Sequence, residues 1–291
     1  MSQIDFIFLI ASVILFGCVD ENGGNRRPSP PTDWQNPSLS QEEQGSITNE
    51  YFEIVRGGGP IEIGEWNRRI PRNTYQTNGF GFIAESAFVI KGEMISRDVL
   101  ESIRSRGDLQ WARIEGDVTS DQLTLLAKLP LRGLCFYGTK MQQLDLASLA
   151  AFQELRWLAI CECGGLENAL KTLPVCRSVR VLLLEGSLVG DTSLLLACRA
   201  LPELNCMNLD RSPVTDNAVA EAIDLIPSIE WISVYACPKV TANCLERVSS
   251  AKKLKRICIA ASGVMRDEAE IRIPLATLLT KHPKCSISFV D

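Results

Sequence analysis

Two stretches of the sequence repeat one pattern and decide the fold. Residues 204–216 are LNCMNLDRSPVTD, and residues 229–241 are IEWISVYACPKVT. Each begins with an apolar residue, places further apolar residues three and five positions later, and continues to a Val-Thr pair. A pattern that recurs at a short, regular interval indicates an array of supersecondary units, because one such unit cannot bury its own apolar face.

The same pattern extends through most of the chain. It starts at Leu109, Leu131, Leu155, Val179, Leu204, Ile229 and Leu254, so the units are 22 to 25 residues long. The segment AFVIKG at 87–92 parallels WARIEG at 111–116, which predicts a weaker first unit. The pattern returns at Cys285, Ser288 and Val290, which predicts a terminal strand.

The segments between the predicted strands have helical features. Residues 119–130, 215–227 and 241–250 each begin with Thr, which favours a helix N-cap, and their apolar residues recur at helical spacing. The ends of the units are marked by Pro130, Pro174, Pro202, Pro227 and Pro283. We therefore predict a parallel sheet with strands about 4.8 Å apart and a layer of helices packed against it.

The period and the L-x-x-L-x-L core resemble the leucine-rich repeat family, and the subtype resembles the cysteine-containing repeats of F-box proteins. In that subtype the ninth position is Cys or Asn and is followed, after two further residues, by Val/Ile-Thr-Asp. All seven ninth-position residues of this chain are small and can hydrogen-bond buried backbone. The ninth positions here are Asp117, Thr139, Cys163, Ser187, Ser212, Cys237 and Ser262. The resemblance covers residues 84–291 and implies an α/β solenoid, with a curved parallel sheet on the concave side and helices on the convex side.

The N-terminal residues predict export and a lipid anchor. The apolar run Phe6–Gly17 is shorter than the roughly 20 residues that a membrane-spanning helix needs, and it has the length of a signal-peptide apolar region. It ends in LFGC, which resembles the lipobox of bacterial lipoproteins and implies that Cys18 becomes the lipidated first residue. The run is not preceded by Lys or Arg, and Phe16 is bulky for a lipobox, so an uncleaved anchor or a wrongly assigned start codon is the alternative.

Composition divides the chain into four parts. Residues 1–17 are the signal-peptide-like segment, and residues 18–50, rich in Pro, Gly, Asn and Ser, are predicted to be a disordered tether. Residues 51–85 have no repeat register, and we predict that they form an N-terminal cap, with a small binding module as the alternative. Residues 86–291 are the predicted repeat domain.

Composition also argues against several classes of function. The net charge is −5 without a basic stripe, which disfavours a nucleic-acid partner. The single histidine, His282, leaves no candidate for a Ser-His or Cys-His pair beside a nucleophile. The eleven cysteines include no C-x-x-C pair, and we expect Cys161 and Cys163, which form a C-x-C pair, to point apart. We predict no metal, no cofactor and no enzymatic activity.

The strand residues between the core positions form the predicted partner-binding surface on the concave side. Those chosen are Trp111, Tyr137, Trp157, Glu185, Asp210, Trp231 and Tyr235. Exposed aromatic residues on a rigid scaffold are typical of protein recognition, although the tryptophans could instead pack flat on neighbouring strands. The acidic residues Glu115, Glu185 and Asp210 could pair with a basic partner, or with Arg113 and Arg256.

Four cysteines lie on the same predicted face, and we expect them to be exposed. They are Cys135, Cys161, Cys206 and Cys258. Exposed free thiols are unusual in an oxidising compartment, so this expectation conflicts with export.

The sequence thus predicts a non-catalytic scaffold that binds a protein partner and is tethered to a bacterial cell membrane or envelope through Cys18, with a cytoplasmic location as the alternative. A second hypothesis is the substrate-recognition subunit of a ubiquitin-ligase-like complex, but we identify no F-box between Gly45 and Glu85. A hydrolase is the third hypothesis, disfavoured because the candidate carboxylates lie on separate strands.

Overall fold

A ten-stranded β-sheet organises the part of the chain that the computed structural model describes, which is residues 80–84, 87–105, 110–186, 188–259 and 268–288. The strands are β1 (Phe80–Ala84), β2 (Ala87–Lys91), β3 (Trp111–Glu115), β4 (Gly133–Tyr137), β5 (Trp157–Cys161), β6 (Val181–Glu185), β7 (Cys206–Asn208), β8 (Trp231–Ser233), β9 (Arg256–Cys258) and β10 (Ser286–Ser288). Their order in space is their order in the sequence. Strands β2 to β10 run parallel, and β1 pairs antiparallel with β2.

Helical segments alternate with these strands. The α-helices are α1 (Arg97–Arg104), α2 (Ser120–Leu126), α3 (Leu166–Leu170), α4 (Asp191–Ala200), α5 (Asp216–Leu225), α6 (Asn243–Val248) and α7 (Glu268–Lys281). Within the described ranges, 3₁₀ helices occupy Gly92–Met94 and Leu146–Ala151. The structure therefore confirms an α/β chain in which each predicted unit contributes one strand.

The register of the sheet places the same position of every unit side by side. Leu134 of β4 pairs with Ala112 on one side and with Leu158 on the other. The predicted first unit is confirmed, because β2 aligns with β3 from Ala87 onward, and the predicted terminal strand is confirmed as β10.

The main hydrophobic core lies between one face of the sheet and the helices. The second and fourth positions of strands β2 to β6 belong to it, as Leu134 and Phe136 do in β4, together with Leu123 and Leu126 of α2. Because side chains alternate across a strand, the first, third and fifth positions lie on the opposite face. We call that opposite face of the sheet, which is the face predicted to be the concave side, the outer face.

The predicted N-cap residues begin two of the three helices singled out in the sequence. Thr119 and Gln122 form a capping box at α2, and the Thr215 hydroxyl accepts a hydrogen bond from Ala218 N at α5. At α6 the cap is Ala242, and Thr241 instead donates from its hydroxyl to Asp216 Oδ2 at 2.5 Å. The Val-Thr-Asp pattern thus joins consecutive units as well as starting helices.

Three of the five described ninth-position residues bond backbone where the chain leaves the strand, whereas the hydroxyl of Thr139 is buried without a hydrogen-bond partner. Cys163 Sγ donates to Phe136 O at 3.5 Å, Ser212 Oγ to Leu184 O at 3.0 Å, and Cys237 Sγ to Leu209 O at 3.0 Å. The predicted role is wrong for Asp117, which is exposed and accepts instead from Lys140 N. Positions 187 and 262 lie outside the described residues.

Several predictions also fall outside the described residues. They concern the segment that resembles a signal peptide, lipidation of Cys18, the tether of 18–50 and, except for residues 80–84, the N-terminal cap of 51–85. Strand β1 (Phe80–Ala84) is the described part of that last segment. In the part of the chain that is described, no helix is both long enough and apolar enough to cross a membrane.

Candidate binding surface

The tryptophans on the outer face are buried. Trp111, Trp157 and Trp231 are 3%, 3% and 7% exposed, so the expectation that they are open to solvent is wrong. They form a second apolar cluster, separate from the main core, with Cys135, Ala159, Cys161, Val181 and Cys206. Side chains on one face of neighbouring strands lie close enough to pack on one another, which is the packing alternative that the sequence left open.

A glycine allows this packing. Gly133 lies between Trp111 and Trp157 in the register of the sheet, and a Cβ atom on it would come within 1.8 Å of Trp111 Cε3. The Trp111 ring therefore occupies the space above Gly133 and meets the Trp157 ring edge-on.

The four outer-face cysteines are buried as well, so the expectation that they are exposed is wrong. Burial raises the pKa of the Cys206 thiol well above its ordinary value, which keeps that thiol protonated and poorly reactive. A hydrogen bond with Cys161 lowers the pKa of Cys135, with the Arg113 charge acting in the same direction. Buried thiols remove the conflict between free cysteines and an oxidising compartment.

Accessible side chains are found at the carboxyl ends of the strands. Tyr137, Asp210 and Tyr235 are each half-buried there. Arg113 Nη2 lies 2.9 Å from Glu115 Oε1, as the sequence suggested, and its guanidinium carbon lies 4.1 Å from the centre of the Tyr137 ring. Six residues at these strand ends form a surface that we call the rim. They are Glu115, Tyr137, Glu162, Asp210, Arg211 and Tyr235, of which Glu162 and Arg211 are described next.

Glu185 pairs with an arginine that the sequence analysis missed. Its Oε1 accepts a hydrogen bond from Arg211 Nη2, which also lies 3.7 Å from Glu162 Oε1. The Glu185 side chain is only 1% exposed, and its Oε2 has no hydrogen-bond partner. Burial raises the pKa of Glu185 to about 8, although the Arg211 charge acts in the opposite direction.

Asp210 is held by three neighbours. Asn208 Nδ2 donates to its Oδ2 at 3.0 Å, while Ser233 Oγ and Tyr235 N donate to its Oδ1, the latter at 3.2 Å. Burial nevertheless raises the pKa of Asp210 to about 6. The carboxylate is therefore fixed in position but incompletely compensated in charge.

The eighth position of the repeat explains how Glu162 and Arg211 reach Glu185. Positive φ angles recur there, at Gly116, Gly138, Glu162, Gly186, Arg211 and Ala236. Left-handed backbone favours glycine, so Glu162 and Arg211 stand out once the units are aligned. The aligned eighth position, where Glu162 and Arg211 replace glycine, is the sequence feature that could have identified these two residues. Gly186 leaves room for the Glu162 side chain, because a Cβ atom on Gly186 would lie 3.0 Å from the Glu162 carboxyl carbon.

The predicted site residues thus separate into two groups. Trp111, Trp157, Trp231 and Glu185 are buried, whereas the remaining three lie on the rim. Among the described residues, no group of three or more His, Cys, Asp or Glu side chains is placed to hold a metal ion.

Comparisons with known proteins find structural similarity but no match in sequence. No protein-family model and no curated protein sequence matches the chain. Among solved structures, the chain is similar to an internalin (inlF) from Listeria monocytogenes, with 14% sequence identity and a TM-score of 0.38. The match covers 70% of this chain and 66% of the internalin chain, slightly less than two thirds of the latter. At this level of similarity the comparison shows neither a family nor an activity.

Proposed function

We propose that the chain is a non-catalytic scaffold of the leucine-rich repeat type, which binds a protein partner through the outer face of its sheet. The observation that carries this proposal is the aligned row at the carboxyl ends of the strands. Glu115, Tyr137, Cys161 and Glu185 are direct neighbours in the sheet register, so the units present their side chains at one height. A surface fixed by backbone pairing loses little conformational entropy on binding.

Six of the seven predicted binding residues take two roles in this proposal. Tyr137, Asp210 and Tyr235 contact the partner directly, because their side chains are partly accessible. Trp111, Trp157 and Trp231 support the surface from below through the apolar cluster. Tyrosine suits a contact residue, because it offers a large rigid ring and a polar hydroxyl.

Site-specific crosslinking in the native cell tests the proposal. A photo-crosslinking amino acid at Tyr137 or Tyr235 should give one covalent partner, while the same group at Leu195 of α4, on the helical side, should not. The partner is then purified, and its affinity is measured for the Tyr137→Ala plus Tyr235→Ala variant. We expect a loss of at least about tenfold, which is typical of interface tyrosines. Equal affinity of the variant and the wild type would exclude the outer face as the binding surface.

The lipid anchor is a separate part of the proposal. We propose that the chain is cleaved before Cys18, and that Cys18 becomes the first residue and is lipidated. The lipid would hold the repeat domain at a bacterial cell envelope. Support comes from the LFGC sequence and from the Pro-, Gly- and Ser-rich residues that follow it. The mass of the N-terminal peptide from native membranes decides between a diacylated Cys18 and an intact Met1.

A further inference from the structure

Three carboxylates on the outer face share one guanidinium. Glu162, Glu185 and Asp210 all act electrostatically with Arg211, and Glu162 and Asp210 both act on Glu185. With every group ionised, three negative charges and one positive charge leave a net charge of −2. The four residues come from three consecutive units, so the sheet itself brings them together.

One acceptor in this cluster has no donor. Glu185 Oε2 is buried and makes no hydrogen bond, although Oε1 is bonded to Arg211. Buried polar atoms are nearly always paired, and an unpaired carboxylate oxygen is costly. The orphan oxygen therefore points to a donor that binds from outside the chain.

The cluster is open on one side. The Glu162 and Arg211 side chains are 39% and 29% exposed, whereas Glu185 behind them is closed to solvent. A cation that approaches the rim meets Glu162 and Arg211 first, and Glu185 lies behind them. The cluster therefore offers an approaching cation one exposed carboxylate, Glu162, and one buried carboxylate, Glu185.

We propose that this cluster recognises a basic side chain, lysine or arginine, of the protein partner. The inference rests on the proposed function, because the partner is the protein that binds the outer face. A bound cation changes the net charge of the cluster from −2 to −1 and supplies the donor that Glu185 Oε2 lacks. Charge-assisted hydrogen bonds in a desolvated site are among the stronger polar contacts at an interface.

Binding at this site should depend on pH. The groups that act on Glu185 are Arg211, Asp210 and Glu162, and its charge is also felt by the thiols of Cys135 and Cys161. Because the pKa of Glu185 is about 8, the carboxyl is neutral at lower pH and must release a proton to pair with a cation. The affinity for a basic ligand should therefore rise as the pH rises through that value.

The test is a calorimetric titration of the full-length protein with a tetra-arginine peptide. Glu162→Gln and Glu185→Gln should each weaken binding by about tenfold, as loss of one charge-assisted contact predicts. The matched control is Glu221→Gln on α5, which removes a carboxylate paired with Arg199 at 3.0 Å on the helical side and should leave binding unchanged. The wild type should bind more weakly at about pH 6 than at about pH 8.5.

Each outcome decides the proposal. Saturable binding that Glu162→Gln and Glu185→Gln weaken and Glu221→Gln does not supports it. If Glu185→Gln unfolds the protein, Glu162→Gln decides, because that side chain is partly exposed. No saturable binding by the wild type, or equal binding by all variants, overturns it. A wild type that fails here but still crosslinks to a partner from Tyr137 loses this inference and keeps the proposed function.

Discussion

The Trp111 ring meets the Trp157 ring edge-on, with the ring centroids 5.8 Å apart and the planes inclined at 70°. The two residues lie on β3 and β5, so strand β4 separates them. Edge-to-face contact across an intervening strand is possible only because that strand carries Gly133 at the same position. The second apolar cluster therefore depends on the residue between the rings as much as on the rings.

We expect Gly133→Ala to destabilise the protein by about 3 kcal/mol, because the new methyl group would overlap the Trp111 ring. Urea unfolding followed by circular dichroism measures this change. The control is Gly164→Ala, where an added Cβ atom meets no atom within 4 Å. Equal stability of the two variants would show that the Trp111 ring does not occupy this space.

The eighth position of the repeat predicts opposite effects for two reciprocal substitutions. Gly138 has a φ of 63° and open space around its Cα, so Gly138→Ala should cost about 1 kcal/mol through backbone strain alone. Ala236 has a φ of 54° at the equivalent position, so Ala236→Gly should be neutral or stabilising by up to about 1 kcal/mol. Unfolding free energies of both variants against the wild type check the pair. Destabilisation by Ala236→Gly would contradict a strained alanine.

The repeat could be predicted from the sequence because its physical cause is local and periodic. Apolar residues at fixed spacing must share one face of each strand, and the observed register follows from that requirement. The ninth-position bonds of Cys163, Ser212 and Cys237 were predictable for the same reason. Each depends on a residue type recurring at one position of the unit.

The environment of the outer face could not be predicted in the same way. Burial of Trp111 depends on the absence of a side chain at Gly133, in the neighbouring unit. The pairing of Glu185 with Arg211 depends on a left-handed residue that lies 26 positions later. Both are relations between particular residues of different units, which periodicity within one unit does not encode.

Protein stability should fall as the pH is raised from about 5 to about 8. The pKa of Glu185 is about 8 in the folded protein and 4.5 ordinarily, so between these values the folded state holds a proton that the unfolded chain has released. The stabilising effect of the neutral carboxyl is complete below the lower value and is lost as the pH rises through the upper one. Asp210, with a pKa of about 6, acts in the same direction.

Urea unfolding across this pH range measures the slope. Glu185→Gln should flatten it, because glutamine does not titrate, while Glu221→Gln on the helical side should keep it. The range ends at about pH 8, since thiols of the unfolded chain begin to ionise above it. An unchanged slope in Glu185→Gln would mean that Glu185 is already ionised at the lower pH.

Reaction with a soluble maleimide should distinguish the cysteines of the native protein. Of the ten described cysteines, only Cys176 is partly accessible, so it should react first among them. Cys135, Cys161, Cys206 and Cys258 should react only after unfolding, because their thiols are buried. Mass mapping after brief labelling gives the order. Early labelling of Cys206 would contradict the packing of the second apolar cluster.

Ser212→Ala should destabilise the protein by about 1–3 kcal/mol, because it removes the donor to the buried Leu184 carbonyl. Ser212→Cys is the matched control, since Cys163 and Cys237 make the equivalent bond in other units through Sγ. It should retain most of the stability that alanine loses, reduced by the larger size and weaker donor strength of sulfur. Differential scanning calorimetry of the three proteins measures both changes. If alanine and cysteine lower the melting temperature equally, volume rather than hydrogen bonding governs the ninth position.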